Sequence, residues 1–354
     1  MMKGPTVHPA LKADLKDTRD QNALRAVPAP RSNGRFQSTQ SPPMLFTREG
    51  HAAYLGDSFR GSAAFLVCGG PSLVTHDLSQ LERRGMLTMA LNNAATVIRP
   101  RLWCSVDDPG HFSDVIWRDP GITKFVPMSH FEKGFLVRND EERLIQSGEK
   151  VGDLPSVFGF RRNESFVAEQ WLHEDTFNWG NRGDRVDAHG NKGSRSVMYP
   201  ALRLLYYLGV RRVYLLGCDF KMEQGKQNYA FEQARSRSSV NGNNHSYQVL
   251  NNRLGHLKPH FEAAGFSVFN CTPESGLTVF PYRDYEAAIE EALSPMPQRI
   301  ITRGMYDGAD AIKSPTPKAG EPAGKSPAGP PAAGIGNGRV AGDVNTAPAE
   351  GMLM

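Results

Sequence analysis

Cysteine is scarce in this chain: four in 354 residues, Cys68, Cys104, Cys218 and Cys271. None stands at zinc-finger or C-x-x-C spacing, which excludes a thiolate zinc site and a disulfide scaffold. Each lies in or at the end of an apolar run, the setting of a reduced, buried thiol. No stretch of eighteen apolar residues occurs, so no membrane span is expected. The N-terminus lacks the apolar segment of a secretion signal, and a cytoplasmic location is the corresponding expectation. A net charge of +4 is small for this length and gives no argument for nucleic acid as a partner. Internal repeats are absent.

The ends are also poor in apolar pattern. Residues 1–45 are rich in Pro, Asn, Gln, Ser and Arg, and residues 298–354 in Pro, Ala and Gly. Neither segment buries enough apolar surface to offset its ordering entropy, so both are expected as disordered tails around a single domain at 46–297.

What is present begins at Phe65-Leu66-Val67-Cys68-Gly69-Gly70-Pro71-Ser72-Leu73. An unbroken apolar run reads as a strand buried on both faces, and Gly-Gly-Pro-Ser as a sharp turn. Ser72 and Thr75 are placed to cap a helix over Leu73–Arg84, which would make the turn an anion site. The turn is neither the dinucleotide fingerprint nor a P-loop. A tight turn without ligand is the alternative.

Further apolar runs follow at Leu87–Leu91, Leu102–Val106, Lys124–Pro127, Val213–Leu216 and Ser267–Asn270. Helical spacing marks His111–Trp117, Val197–Leu208, Tyr247–Ala264 and Tyr282–Leu293. Residues 131–190 carry no clear period and are expected as an insertion or lid. Strands alternating with helices predict an α/β domain: a Rossmann-like, mostly parallel sheet with helices on both faces. Ligands of such sheets bind beyond the carboxyl ends of the strands. There the sequence places Gly69, Gly70, Asn92, Asn93, Asp107, Asp108, Asp219 and Asn270.

Several of these residues have two readings. Asn92 and Asn93 either pair with a base or sugar hydroxyl, or take a left-handed turn. Asp107 and Asp108 could hold Mg²⁺ or Mn²⁺, or Asp108 caps the next turn. His256 and His260 lie four apart, yet no Glu follows His256, and a surface role is expected. His245 falls in a polar stretch and could act as a general base. Arginines gather at 161, 162, 182, 185 and 195, as solvated surface or as an anion clamp.

Four segments in order resemble one known pattern. Cys68-Gly69-Gly70-Pro71-Ser72-Leu73 resembles the Gly-x-Gly-Pro-Ser-Leu turn of the bacterial sialyltransferases of glycosyltransferase family 42. It is similar also to the domain-of-unknown-function 115 group, which includes motility accessory factors and pterin-pyrophosphokinase-like proteins. Ser194-Arg195-Ser196 before a helix, then Gly217-Cys218-Asp219-Phe220, resembles the superfamily's Ser-helix-strand-Gly-x-Asp-Phe run. Asn228-Tyr229-Ala230-Phe231 with Asn244-His245-Ser246-Tyr247, and Phe269-Asn270-Cys271-Thr272-Pro273-Glu274-Ser275, complete it. Lys221 stands where that pattern has a Tyr, and its base falls nearer Val249 than His245.

The resemblance implies transfer of a sugar from a CMP-linked or similar nucleotide-sugar donor to a glycan or small-molecule acceptor, without metal. It implies phosphate at Gly69, Gly70 and Ser72, nucleotide at Asn92, and Asp107 or Asp108 at the next rim position. Ser194 or Ser196 would meet the donor, Tyr229 the leaving phosphate, and Ser275 would close on the nucleotide. Tyr229 and His245 are expected on one mobile loop, Gly225–Ser246. Two alternatives remain: diphosphate transfer from ATP with Mg²⁺ on Asp107 and Asp108, and nucleotide or glycan binding without turnover.

Overall fold

The structure, a computed structural model, describes residues 44–186, 192–231 and 236–295. The tails expected at 1–45 and 298–354 lie outside the described residues, save for Met44 and Leu45. Those two are 3% and 0% exposed, so the folded domain begins before residue 46.

In chain order the first strands are β1 (Leu45–Phe46), β2 (Ala52–Ala53), β3 (Ala63–Val67), β4 (Leu87–Leu91), β5 (Leu102–Cys104) and β6 (Thr123–Pro127). A hairpin, β7 (Leu136–Arg138) and β8 (Leu144–Gln146), precedes β9 (Val157–Phe160). Two small pairs follow: β10 (Arg162–Asn163) with β11 (Phe177–Asn178), and β12 (Gly180–Val186) with β13 (Lys192–Arg195). The last strands are β14 (Arg212–Leu216) and β15 (Ser267–Asn270). The helices are α1 (Asp114–Arg118), α2 (Met198–Tyr207), α3 (Arg237–Ala263) and α4 (Tyr285–Leu293).

The main sheet runs β15-β14-β3-β4-β5-β6-β9-β1-β2. From β15 to β9 every pair is parallel, and β1 and β2 add antiparallel. Alternation along each strand feeds two cores. Ala64 and Leu66 of β3 face one core with Leu202 and Leu205 of α2 and Leu254 and Leu257 of α3. Phe65 and Val67 face the other, with Trp117 of α1 and Tyr285 and Ile289 of α4. The result is the α/β, mostly parallel sheet with helices on both faces that the apolar runs predict.

Four elements differ from the sequence reading. The expected helix at Leu73–Arg84 is two short 3-10 turns, Pro71–Thr75 and Leu78–Glu82. Asp77 breaks it, because its carboxylate accepts from the Ser79 N–H and starts the second turn afresh. Within the stretch 131–190, expected as an insertion or lid, Val157–Phe160 joins the main sheet as β9, registered Phe125↔Phe158 against β6, with Phe160 fully buried. The Trp171 and Glu174 carbonyls of the same stretch accept from the buried guanidinium of Arg203 on α2. Around His111–Trp117 only Asp114–Arg118 is α-helical, capped by Ser113.

The fourth difference bears on the site. Helix α3 starts at Arg237, capped by Ser236, ten residues before the expected Tyr247. Its Asn- and Gly-rich first turns are held from outside. Asn244 accepts from the Met222 N–H and donates to the Met222 carbonyl, both at 2.9 Å. His245 is thus an exposed helical residue. The expected mobile loop Gly225–Ser246 is helix from Arg237 onward, and residues 232–235 lie outside the described residues.

Two predictions follow from these placements. Gly242 sits within α3, and a Cβ there would meet nothing within 4 Å. Gly242→Ala should stabilise the protein by about 0.5–1 kcal/mol in urea unfolding; a loop at 237–246 would show no gain.

His130, after β6, is 2% exposed, and its Nδ1 has no hydrogen-bond partner. Burial, then the charges of Lys133 and Arg162, push its imidazole down to about 3. The unfolded chain therefore binds one more proton than the folded one between about pH 6.5 and that value. Stability is full above the window and falls as pH drops through it, by up to about 1.4 kcal/mol per pH unit. Unfolding free energies measured across this range should lose that component in His130→Leu.

Candidate functional site

After the antiparallel edge strands β1 and β2, the parallel part of the sheet starts in the middle. From β3 the chain builds outward through β4, β5, β6 and β9, then returns to lay β14 and β15 on the other side. The order reverses between β3 and β14, and a crevice opens there at the carboxyl ends of the strands. It holds a cavity of about 130 Å³. The turn after β3 gives Cys68 and Gly70, and the turn after β14 gives Gly217, Cys218, Asp219, Phe220 and Lys221. Leu91 ends β4. Ser196 and Met198 come from the start of α2, Asn228 and Tyr229 from the loop after β14, and Tyr247 and Leu250 from α3.

The two turns are knit directly. The Gly70 N–H donates to the Gly217 carbonyl at 2.8 Å. Ser72 Oγ donates to Asp219 Oδ2 at 2.8 Å, and the Ser72 N–H points at the same oxygen at 3.4 Å. The Ser72 N–H and hydroxyl, expected to meet phosphate, are thus engaged by the Asp219 carboxylate in this structure. Gly70 is required for the packing of the two turns: a Cβ there would lie 2.5 Å from the Gly217 carbonyl and closer still to Asp219. Gly217 has φ +65°, a conformation that favours glycine.

The turn after β15 joins the same knot. The Cys218 N–H donates to Thr272 Oγ1 at 2.9 Å, and the Gly276 N–H donates to the Asp219 carbonyl at 2.8 Å. Ser275 Oγ donates to the Cys218 carbonyl and accepts from the Leu277 N–H. Ser275 therefore sits beneath the β14 turn and does not line the cavity. Gly69 lies under an aromatic pair: its carbonyl accepts from the Ala230 N–H, and Tyr229 stacks on Phe231 with centroids 5.2 Å apart. Across the cavity Tyr247 stacks on Phe220 at 4.9 Å. Burial first, then the neighbouring Tyr229 and cysteines, holds the Tyr247 hydroxyl well above its ordinary pKa.

Of the residues singled out in the sequence, Gly70, Ser196, Asp219 and Tyr229 line this cavity. Ser196 Oγ accepts from the Met198 N–H at 3.2 Å. Ser194 is buried behind it, its carbonyl taken by Arg253. Asn92 and Asn93 begin the 3-10 turn after β4, and Asn92 takes the left-handed conformation at φ +48°. Asn92 Nδ2 donates to Asp107 Oδ2 at 3.1 Å. Asp108 caps the next turn through the Gly110 N–H and pairs with Lys133 at 3.2 Å. Burial raises its pKa, but those two partners together hold the carboxyl below its ordinary value. His245 stands on α3 outside the lining.

Asp107 and Asp108 do not fit a divalent cation. Both already have partners, one of them an ammonium that a cation would have to displace. Among the described residues no group of three or more His, Cys, Asp or Glu is arranged to hold a metal ion, and Mg²⁺ needs near-octahedral oxygen donors. Lys221, Phe220, Tyr247 and both cysteines enter the site without having been singled out for it. Lys221 and Phe220 directly follow Gly217-Cys218-Asp219, so their position after β14 is the signal that finds them.

No family profile and no curated protein sequence matches the chain. Among solved structures it is similar to a MAf glycosyltransferase from Magnetospirillum magneticum AMB-1, at 13% identity and a TM-score of 0.36. The match covers 72% of this chain and 37% of that one, so the chain spans little more than a third of that protein's length. A likeness at that level assigns neither activity nor residues. Among the described residues no helix is long and apolar enough to cross a membrane.

If the β3–β14 knot is structural, Gly70→Ala should destabilise the fold by about 1–3 kcal/mol through overpacking. Thermal and urea unfolding check this. A variant of unchanged stability that failed only in ligand binding would restore the phosphate-cradle reading of the turn.

Proposed function

We propose that the chain transfers a sugar from a nucleotide-linked donor, and that the donor sits in the cavity between the β3 and β14 turns. One observation carries this reading: the cavity lies at the point of order reversal in a parallel sheet, where such folds hold nucleotides. Its walls suit the task. Tyr229 and Tyr247 offer aromatic surface to a base or sugar. Ser196 and the ammonium of Lys221 offer hydrogen bonds to a phosphate.

Because Asp219 occupies the Ser72 N–H, this reading assigns the phosphate contact to the cation of the β14 turn. In this reading Lys221 meets the donor phosphate, and the Tyr229 hydroxyl donates to the phosphate oxygen as the glycosidic bond breaks. Asp219 is the carboxylate of the cavity, and it takes the acceptor hydroxyl's proton in place of the distant His245. The step then needs no metal at Asp107 or Asp108. The resemblance of the Gly-Gly-Pro-Ser-Leu turn and the Gly-Cys-Asp-Phe run to glycosyltransferase family 42 supports the same assignment.

Titration calorimetry with CMP, UDP and ATP, with and without EDTA, tests it. A cytidine or uridine nucleotide should bind equally well in EDTA. Lys221→Met should weaken that binding about tenfold or more, the loss of one charge-assisted hydrogen bond. Tyr229→Phe should leave binding nearly unchanged and lower kcat on the order of 100-fold. Binding only of ATP, and only with Mg²⁺, would favour diphosphate transfer. Nucleotide binding indifferent to both substitutions would place the donor elsewhere.

A further inference from the structure

Two of the four cysteines meet in the cavity wall. Cys68 follows β3 directly, and Cys218 follows β14 by two residues. The strands are parallel neighbours with Val67 opposite Leu216. The ladder continues past their ends, since the Cys68 N–H donates to the Leu216 carbonyl and the Gly70 N–H to the Gly217 carbonyl, both at 2.8 Å. Both side chains turn to the same core, and both line the cavity. Continuing that register sets Cys68 beside Gly217, one residue before Cys218, and a disulfide spans Cα separations of roughly 4.4–6.8 Å. The other two cysteines, Cys104 and Cys271, are buried and face different cores.

We propose that Cys68 and Cys218 form a redox modification site, a dithiol that a hydroperoxide converts to an intramolecular disulfide. The inference does not depend on what the cavity binds. Exposure divides the roles, since Cys68 is half-buried and Cys218 is 1% exposed. Cys68 meets the oxidant. Its sulfur takes the terminal oxygen of the hydroperoxide, the O–O bond breaks, and an alcohol or water leaves. Cys68 is then a sulfenic acid. The Cys218 sulfur attacks it, the S–O bond breaks, the S–S bond forms, and water carries off the Cys218 proton.

The surroundings set the pace. Burial, the adjacent Cys68 and the carboxylate of Asp219 all disfavour the Cys218 thiolate. Closure of the disulfide by Cys218 is therefore slow at neutral pH and faster in alkaline solution. The bond would tie the β3 turn to the β14 turn where the knot of main-chain hydrogen bonds already holds them, so it requires no separation of the strands.

Peptide mapping of the full chain after hydrogen peroxide treatment and alkylation tests the proposal. Two of the four thiols should be lost, a single cross-linked peptide should contain Cys68 and Cys218, and reductant should restore both. The rate should rise with pH. In Cys218→Ala the cross-link should vanish and Cys68 should advance to sulfinic acid. A wild-type protein that resists oxidation, that carries sulfinic Cys68 without a cross-link, or that pairs other cysteines or separate chains would overturn it.

Discussion

The hydrogen bonds from Gly70 to the Gly217 carbonyl and from Ser72 to Asp219 hold the rest of the site in place. They join the first parallel strand of the sheet to one laid down much later in the chain. Around them the Thr272 and Ser275 hydroxyls tie in the third turn. The Ser72–Asp219 contact is part-buried, so water competes for it less than for an exposed pair. Everything that lines the cavity is carried by the elements these contacts fix, with α3 docked on them through Asn244.

This arrangement changes what a glycine-rich turn means. Gly-Gly-Pro-Ser after a strand reads as an anion cradle, and the backbone geometry is compatible with one. In this structure the Ser72 N–H and hydroxyl are engaged by Asp219, a residue far along the chain. Asp219 and Lys221 bring both signs of charge to one turn of the cavity, and Lys221 Nζ also donates to the Glu274 carbonyl.

Much of the sheet was legible because parallel strands buried on both faces leave unbroken apolar runs; β3, β4, β14 and β15 read directly. Strand β9 did not, since Val-Phe-Gly-Phe follows Pro155 and lies in a stretch with no period around it. The start of α3 was hidden for a different reason. Ser, Asn and Gly disfavour helix locally, and the Ser236 cap with the two bonds between Asn244 and Met222 offsets this. Within the site, the strand ends pointed to Gly70 and Asp219, while Tyr229 and Ser196 came from the resemblance of their segments to a known pattern. Tyr247 and Leu250 reach the cavity only because α3 crosses it, which no local pattern reports. The cysteines read as ordinary core residues, since their meeting depends on register between two distant strands.

The order of the strands also dictates an order of assembly. Strands β3 to β9 can pair as they emerge, each beside its predecessor. One edge of β3 stays open until β14 arrives, and the bond from Ser72 to Asp219 closes a loop of 147 residues. Contacts of such separation form late, because the entropy of loop closure must be met before they are gained. Until then Ala63–Val67 is an unpaired apolar edge, of the kind that invites aggregation. The half of the crevice that faces solvent in the finished protein is therefore the seam at which its folding ends.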